Sequence, residues 1–256
     1  MTGKTFIQKL HDGAPVFGSA ITQPCPLWTH IAKEIGLDFV FIDNEHRPFS
    51  RQDVANLCQI YAAQEIVPIV RIPSPDASLA CMALDSGAWG IVAPYVENIT
   101  EIEEIVGAVK YAPLKGDILK KGLKTGIWQP KTLEFLNHQN SHRSVIINIE
   151  SQPALEKLDQ LAAVPGLDAL LIGPHDLTIN SGCPQDYEQP DFIQDVEEII
   201  RIGRKHHLGV GIHAWWGTLP VKSWMEKGMN LILYSSDYMA ARQKLGEDFK
   251  KLRYGN

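Results

Sequence analysis

The sequence predicts a single (β/α)₈ barrel of the TIM type, an α/β fold. Three observations carry that prediction. Eight short apolar runs recur along the chain, amphipathic stretches separate many of them, and the 256 residues match the length of about 250 that such a barrel uses.

The eight runs are Val16–Ala20, Phe39–Asp43, Val67–Arg71, Gly90–Pro94, Val145–Ile149, Ala169–Gly173, Gly209–His213 and Leu231–Ser235. Several are near-continuous hydrophobic segments, FVFID and ALLIG among them, as strands buried on both faces must be. Between them lie helical patterns at Thr100–Lys110, Pro153–Ala162 and Phe192–His206. Gly36, Gly87, Gly166 and Gly228 precede strands, where helix C-caps favour glycine. Eight βα units fit a closed barrel better than an open doubly wound sheet, the alternative fold. One domain is therefore expected over residues 1–256. The segment Tyr111–Lys131 breaks the pattern. It is lysine-rich and weakly periodic, and is expected to be a long loop, either a lid or specificity element on the catalytic face or a solvated stretch or oligomer contact.

Composition narrows the function classes. Hydrophobic residues make up 45% and charged residues 21%, an ordinary globular balance. A net charge of −6 gives no general attraction to nucleic acid or anionic lipid. Cys25, Cys58, Cys81 and Cys183 have neither CxxC nor zinc-finger spacing and are expected to be reduced packing thiols. The N-terminal segment lacks the apolar core of a secretory signal. No run approaches the roughly 18 apolar residues of a membrane span. A cytoplasmic protein is the expectation.

The C-terminal ends of the strands form the active face of a barrel, so the polar residues that follow the apolar runs matter most. They are Asp43-Asn44-Glu45-His46-Arg47, Arg71, Asn148-Ile149-Glu150-Ser151, Gly173-Pro174-His175-Asp176, His213 and Ser235-Ser236-Asp237. Ser151 and Asp237 have the character of helix N-caps. Glu150 and Asp176 end consecutive strands, which run about 4.8 Å apart. They form an oxygen-only pair suited to Mg²⁺ or Mn²⁺. The structural alternative has Asp176 capping a helix and Glu150 paired with Arg71. His46 is placed to move protons, or else is a surface or interface histidine. Arg71 at a buried strand end needs an anionic partner, from substrate or protein. No lysine ends a strand, which argues against Schiff-base chemistry. No GxGxxG, P-loop or GxSxG motif appears.

The segments FVFIDNEHRPFS, PIVRIP, LDSGAWGIVAPYV, INIESQPALEKLD and GLDALLIGPHDLTINSG resemble, in order, the motifs of the HpcH/HpaI aldolase family. The resemblance runs from about Gly13 to Asp237. It implies a (β/α)₈ barrel with a divalent cation (Mg²⁺, Mn²⁺ or Co²⁺) and class II aldol chemistry on 4-hydroxy-2-oxo acids, giving pyruvate and an aldehyde. By resemblance, Glu150 and Asp176 are the metal ligands, His46 the base, Asp85 the carboxylate that raises its basicity, and Arg71 the group that holds substrate and oxyanion. Asn148 stands where the family often has a substrate-binding glutamine. The backbone around Gly173, His175 and Asp176 matches the dock for the pyruvate carboxylate. The resemblance also implies a homohexamer whose last helix is exchanged between subunits. Departures surround the pocket: YAPLKGDILKKG replaces the usual Tyr-Pro-Pro-x-Gly-x-Arg-Gly-like segment, His175 stands where alanine is common, and Trp215-Trp216 is bulky. They imply the same chemistry on an altered aldehyde or acceptor. An enolate-condensing synthase of the citrate-forming kind, an oxaloacetate decarboxylase and a non-catalytic barrel stay open as alternatives.

Overall fold

The structure, a computed structural model, describes residues 1–255. Eight parallel strands close in sequence order: β1 (Val16–Ile21), β2 (Phe39–Asp43), β3 (Val67–Arg71), β4 (Gly90–Ala93), β5 (Ser144–Ile149), β6 (Ala169–Ile172), β7 (Gly209–Ala214) and β8 (Leu231–Ser236), with β8 pairing back onto β1. Around them run α1 (Gly3–Asp12), α2 (Trp28–Glu34), α3 (Arg51–Ala63), α4 (Ala77–Asp85), α5 (Ile99–Lys110), α6 (Gly116–Thr125), α7 (Pro130–Asn140), α8 (Gln152–Glu156), α9 (Leu158–Ala162), α10 (Pro174–Asn180), α11 (Pro190–Lys205), α12 (Thr218–Glu226) and α13 (Asp237–Tyr254). All eight predicted strands are present. No helix of the described residues is long and apolar enough to cross a membrane.

Successive side chains of a strand point to opposite faces, and the two faces here feed two cores. Val40, Ile42, Val70, Ile147 and Leu170 join the cluster beneath the helices. Phe39, Phe41, Val67, Ile69, Ile146 and Leu171 fill the barrel interior. Helix α1 closes the lower end. Its Phe6 and Leu10 are fully buried in the interior cluster, and Phe6 meets Phe39 edge-on at 5.6 Å between ring centres. The interior is thus plugged below and open only above, at the C-terminal ends of the strands.

Three local readings change. Residues 111–131 are not one loop, because α6 forms within them. Leu119 and Leu123, one turn apart, pack on Gly107 of α5, and Trp128 stacks on Tyr111 at 4.4 Å. The predicted helix Pro153–Ala162 divides at Lys157 into α8 and α9. Ser151 caps α8 as expected, but the cap of α13 is Ser236, whose hydroxyl accepts from Met239 N at 3.1 Å. Asp237 instead is buried and accepts from Thr22 N at 3.0 Å, Thr22 Oγ1 at 2.5 Å, Gln23 N at 3.2 Å and Tyr238 N at 2.8 Å. Beyond Asp237, α13 buries no residue, and its Leu245, Phe249 and Leu252 are exposed.

Candidate active site

Alternation along the strands decides which side chains reach the open end. On β2 the inward series is Phe39, Phe41, Asp43; on β3 it is Val67, Ile69, Arg71; leading out of β5 it is Ile146, Asn148, Glu150. Each series reaches a charge only at its last inward position, with the polar Asn148 one step before Glu150, so the charges meet at the mouth without entering the apolar interior. There they line a cavity of about 250 Å³ with His46, Gly173, His175 and Asp176. The structure therefore brings together seven of the eight candidates named from sequence.

Asp85 is the exception. It ends α4, is exposed, and lines a separate cleft between α4, α5 and α6. Within one chain the carboxylate beside His46 is Glu45, whose Oε2 lies 3.6 Å from His46 Nε2. Nor does any residue of 111–131 line the cavity; the segment follows α5 and packs against it, so it is no lid over this mouth.

Arg71 is held from two sides. Its Nε donates to Asp43 Oδ1 at 3.0 Å, its Nη2 lies 2.9 Å from Asp43 Oδ2, and its Nη1 lies 3.1 Å from Glu45 Oε2. The bidentate fork to Asp43 follows from register, because Asp43 and Arg71 are paired neighbours on β2 and β3. Burial opposes ionisation of Asp43, but the hydrogen bond and charge of Arg71 win and lower its pKa. At Glu45 burial prevails over Arg71 and His46, and its pKa is raised. The guanidinium also lies 5.3 Å over the Phe41 ring. This network replaces the alternative Glu150–Arg71 pair.

Glu150 is buried at the far side of the cavity. Its Oε1 accepts from Tyr95 N at 2.6 Å and its Oε2 from Asn148 Nδ2 at 3.0 Å. Tyr95 aims that N–H from a left-handed backbone, φ 49°. A Cβ on Gly173 would overlap Glu150 Oε2, so only glycine leaves room for the carboxylate. Burial, reinforced by the charge of Asp176, raises the Glu150 pKa despite its two hydrogen bonds and Arg71. Asn148 keeps its Oδ1 buried with no partner.

The sequence reading gave no role to Asp43, Glu45, Tyr95 or His213. His213 lines the cavity from β7, shares a hydrogen bond with Ser235 O at 3.1 Å through Nε2, and packs on Trp215. Burial lowers its pKa to about 4, so it is neutral at pH 7 with Nε2 protonated by its bond to the carbonyl. Trp215 in turn meets Tyr187, which stacks on Trp216 at 3.9 Å.

Among the described residues no group of three or more His, Cys, Asp or Glu converges as a metal centre. Glu150 and Asp176 supply two hard oxygen donors. A buried carboxylate whose charge is disfavoured by burial and by a second carboxylate is the arrangement that a divalent cation relieves. Such a cation needs few protein ligands when substrate and water fill the rest. The donor set fits.

Residues 24–214 match the HpcH/HpaI aldolase/citrate lyase family. The chain belongs to that family. The family carries out divalent-metal-dependent carbon–carbon cleavage and condensation on small 2-oxo acids. The chain is similar to the 2-keto-3-deoxy-L-rhamnonate aldolase of Klebsiella pneumoniae, at 28% identity over 94% of this chain and 90% of that protein. It is 31% identical to the 2-dehydro-3,6-dideoxy-6-sulfogluconate aldolase of Pseudomonas putida, over 83% of this chain and 82% of that one. The crystal structure of an HpcH/HpaI aldolase from Desulfitobacterium hafniense superposes with a TM-score of 0.84 at 25% identity, covering 96% of both chains.

Proposed function

We propose that this family member is a class II pyruvate aldolase that reversibly cleaves a 4-hydroxy-2-oxo acid into pyruvate and an aldehyde. The observation that carries the reading is that two oxygen donors, Glu150 and Asp176, line one closed-bottomed cavity with the doubly anchored Arg71.

Glu150 and Asp176 would hold the divalent cation, Mg²⁺, Mn²⁺ or Co²⁺. When bound, the cation supplies Lewis acidity toward the 2-oxo group and its carboxylate. Arg71, unable to swing because Asp43 and Glu45 fix it, faces the oxygen that gains charge as the C3–C4 bond breaks. A donor fixed in advance needs no reorganisation at that moment. His46 takes the proton of the 4-hydroxyl, with Glu45 Oε2 3.6 Å from its Nε2. Asn148 offers its free Oδ1 to substrate. The N–H groups of His175 and Asp176, in the first turn of α10 with no intrahelical acceptor, orient the pyruvate carboxylate. In the condensation direction the same groups act in reverse. The long exposed apolar stripe of α13 supports a homo-oligomer in which this helix packs on a second copy.

The test is chelation. Removing divalent cations abolishes pyruvate–aldehyde exchange, and Mg²⁺, Mn²⁺ or Co²⁺ restores it. Glu150→Ala loses metal binding, and His46→Ala loses retro-aldol rate with the fold intact. Activity that survives chelation, together with a borohydride-trapped pyruvate adduct, overturns the reading.

A further inference from the structure

The proposed chemistry leaves the aldehyde end of the substrate without a recognition element, and the charges around the cavity supply one. Of the lining residues that carry a full charge, Asp43 is spent on Arg71, and Glu45 behind it is also bound to Arg71. Glu150 and Asp176 are assigned to the proposed cation. Asp237, just behind the lining residue Thr22, is closed off by the four donors described above. His213 is neutral. That leaves Arg47, which lines the cavity. Among the described residues no carboxylate lies within 4.0 Å of its guanidinium; the ion pairs at this rim are those of His46 and Arg71.

Its position is as informative as its charge. The oxygen donors lie at the ends of β5 and β6. In a closed eight-stranded barrel the strands opposite those are β1 and β2. Arg47 follows β2, and the other lining groups on that side are Thr22 after β1 and Met239 after β8, with Trp215 after β7 on the flank. A 2-oxo acid anchored by its carboxylate at β5 and β6 must extend its C4 end toward this side. The cavity, about 250 Å³, lies below the usual 300–1,000 Å³ of ligand sites. That size suits pyruvate with a short chain.

We infer that Arg47 is a specificity-determining residue that selects a short aldehyde carrying an anionic group at its far end. This rests on the aldolase reading above. Carboxylate and phosphate tails share the chemistry that a guanidinium recognises in two-point fashion, and the test separates them.

The experiment compares the Mn²⁺-loaded wild type with Arg47→Ala and Arg47→Lys. Pyruvate is condensed with 4-oxobutanoate against butanal, and with glyceraldehyde 3-phosphate against glyceraldehyde. Pyruvate methyl H/D exchange in D₂O is followed by NMR without any aldehyde. The wild type is expected to prefer at least one anionic aldehyde over its neutral partner. Arg47→Ala lowers kcat/KM for that aldehyde by about 10–100-fold, the range of a lost charge-assisted hydrogen bond. It changes the neutral aldehydes by less than about threefold and leaves pyruvate exchange unchanged; Arg47→Lys recovers part of the loss. A loss confined to one tail identifies that tail. A wild type that favours the neutral aldehydes, or an Arg47→Ala loss equal for charged and neutral partners, overturns the inference while exchange persists. Absence of exchange in the wild type overturns the aldolase reading itself, and this inference with it.

Discussion

Gly173→Ala isolates the geometry on which the proposed cation binding depends. The backbone there, φ −90° and ψ 88°, is open to any L-residue, so alanine brings no conformational penalty of the positive-φ kind. Its methyl, however, would lie 2.8 Å from Glu150 Cβ and 3.0 Å from Cδ, with Oε2 nearer still, whereas ordinary contact begins at 3.4 Å. The carboxylate must retreat by roughly an ångström, a displacement that can cost a site about 100-fold. The retreat stretches the bonds from Tyr95 N and Asn148 Nδ2, now 2.6 and 3.0 Å. Loss of such orienting contacts weakens metal affinity by about 10–100-fold. Mn²⁺ titration followed by electron paramagnetic resonance reads the affinity directly. Gly246→Ala is the control, since a Cβ there meets nothing within 4 Å. Wild-type Mn²⁺ affinity in Gly173→Ala, with the melting temperature unchanged, would refute the assignment of Glu150 as a ligand.

Other perturbations follow from the same network. Asp43→Ala leaves the largely buried Arg71, its side chain 11% exposed, with Glu45 alone, and is expected to cost about 3 kcal/mol in urea unfolding; a loss below about 1 kcal/mol would mean that Arg71 is not anchored there. Asp237→Ala strands Thr22 and the N–H groups of Gln23 and Tyr238, and is expected to cost about 2–4 kcal/mol; a stability equal to wild type in the same assay refutes the structural role. His213 has its pKa lowered from 6.5 to about 4 by burial, so below pH 6.5 the unfolded chain binds a proton that the native state refuses. Its contribution is full above pH 6.5 and falls away toward pH 4, on the order of 3 kcal/mol at most. His213→Gln should flatten unfolding free energy against pH in that window, and an unaltered slope would locate the effect elsewhere.

The strands were legible in the sequence because parallel strands buried on both faces leave little but apolar residues. Phe39–Asp43 and Val67–Arg71 have the predicted ends, and the others shift by one residue at most at either end. Helix α6 was hidden because Gly116, Gly122 and Gly126 and a scatter of lysines dilute its period; what holds it is Leu119 and Leu123 against the bare backbone of Gly107, a contact no local pattern announces. Asp43 was visible as a strand-tip residue. Applying strict alternation to β2 and β3 together would have paired it with Arg71. Tyr95 left no trace, since its role belongs to a backbone N–H and not to its side chain. Asp85 shows the opposite limit: a motif fixes order along the chain, and proximity to His46 depends on where α4 ends.

The placement of charge at one rim has a physical cause that also bears on selectivity. Below the layer of Phe41 and Leu171 the interior is apolar and sealed by Phe6 and Leu10, and an ionised group there would lack both water and partners. At the mouth each strand can end on a charge, provided the neighbouring strand supplies the counter-charge or hydrogen bond. Asp43 and Arg71 meet that condition between β2 and β3, and Tyr95 and Asn148 meet it for Glu150. The result is a mouth polarised across its width, with oxygen donors at β5 and β6, an immobilised guanidinium at β3, and an unspent one at Arg47. A neutral aldehyde gains nothing from the last of these. A doubly anionic substrate is aligned by both ends before any bond breaks, and for that reason truncating its far anion should lower kcat as well as raise KM.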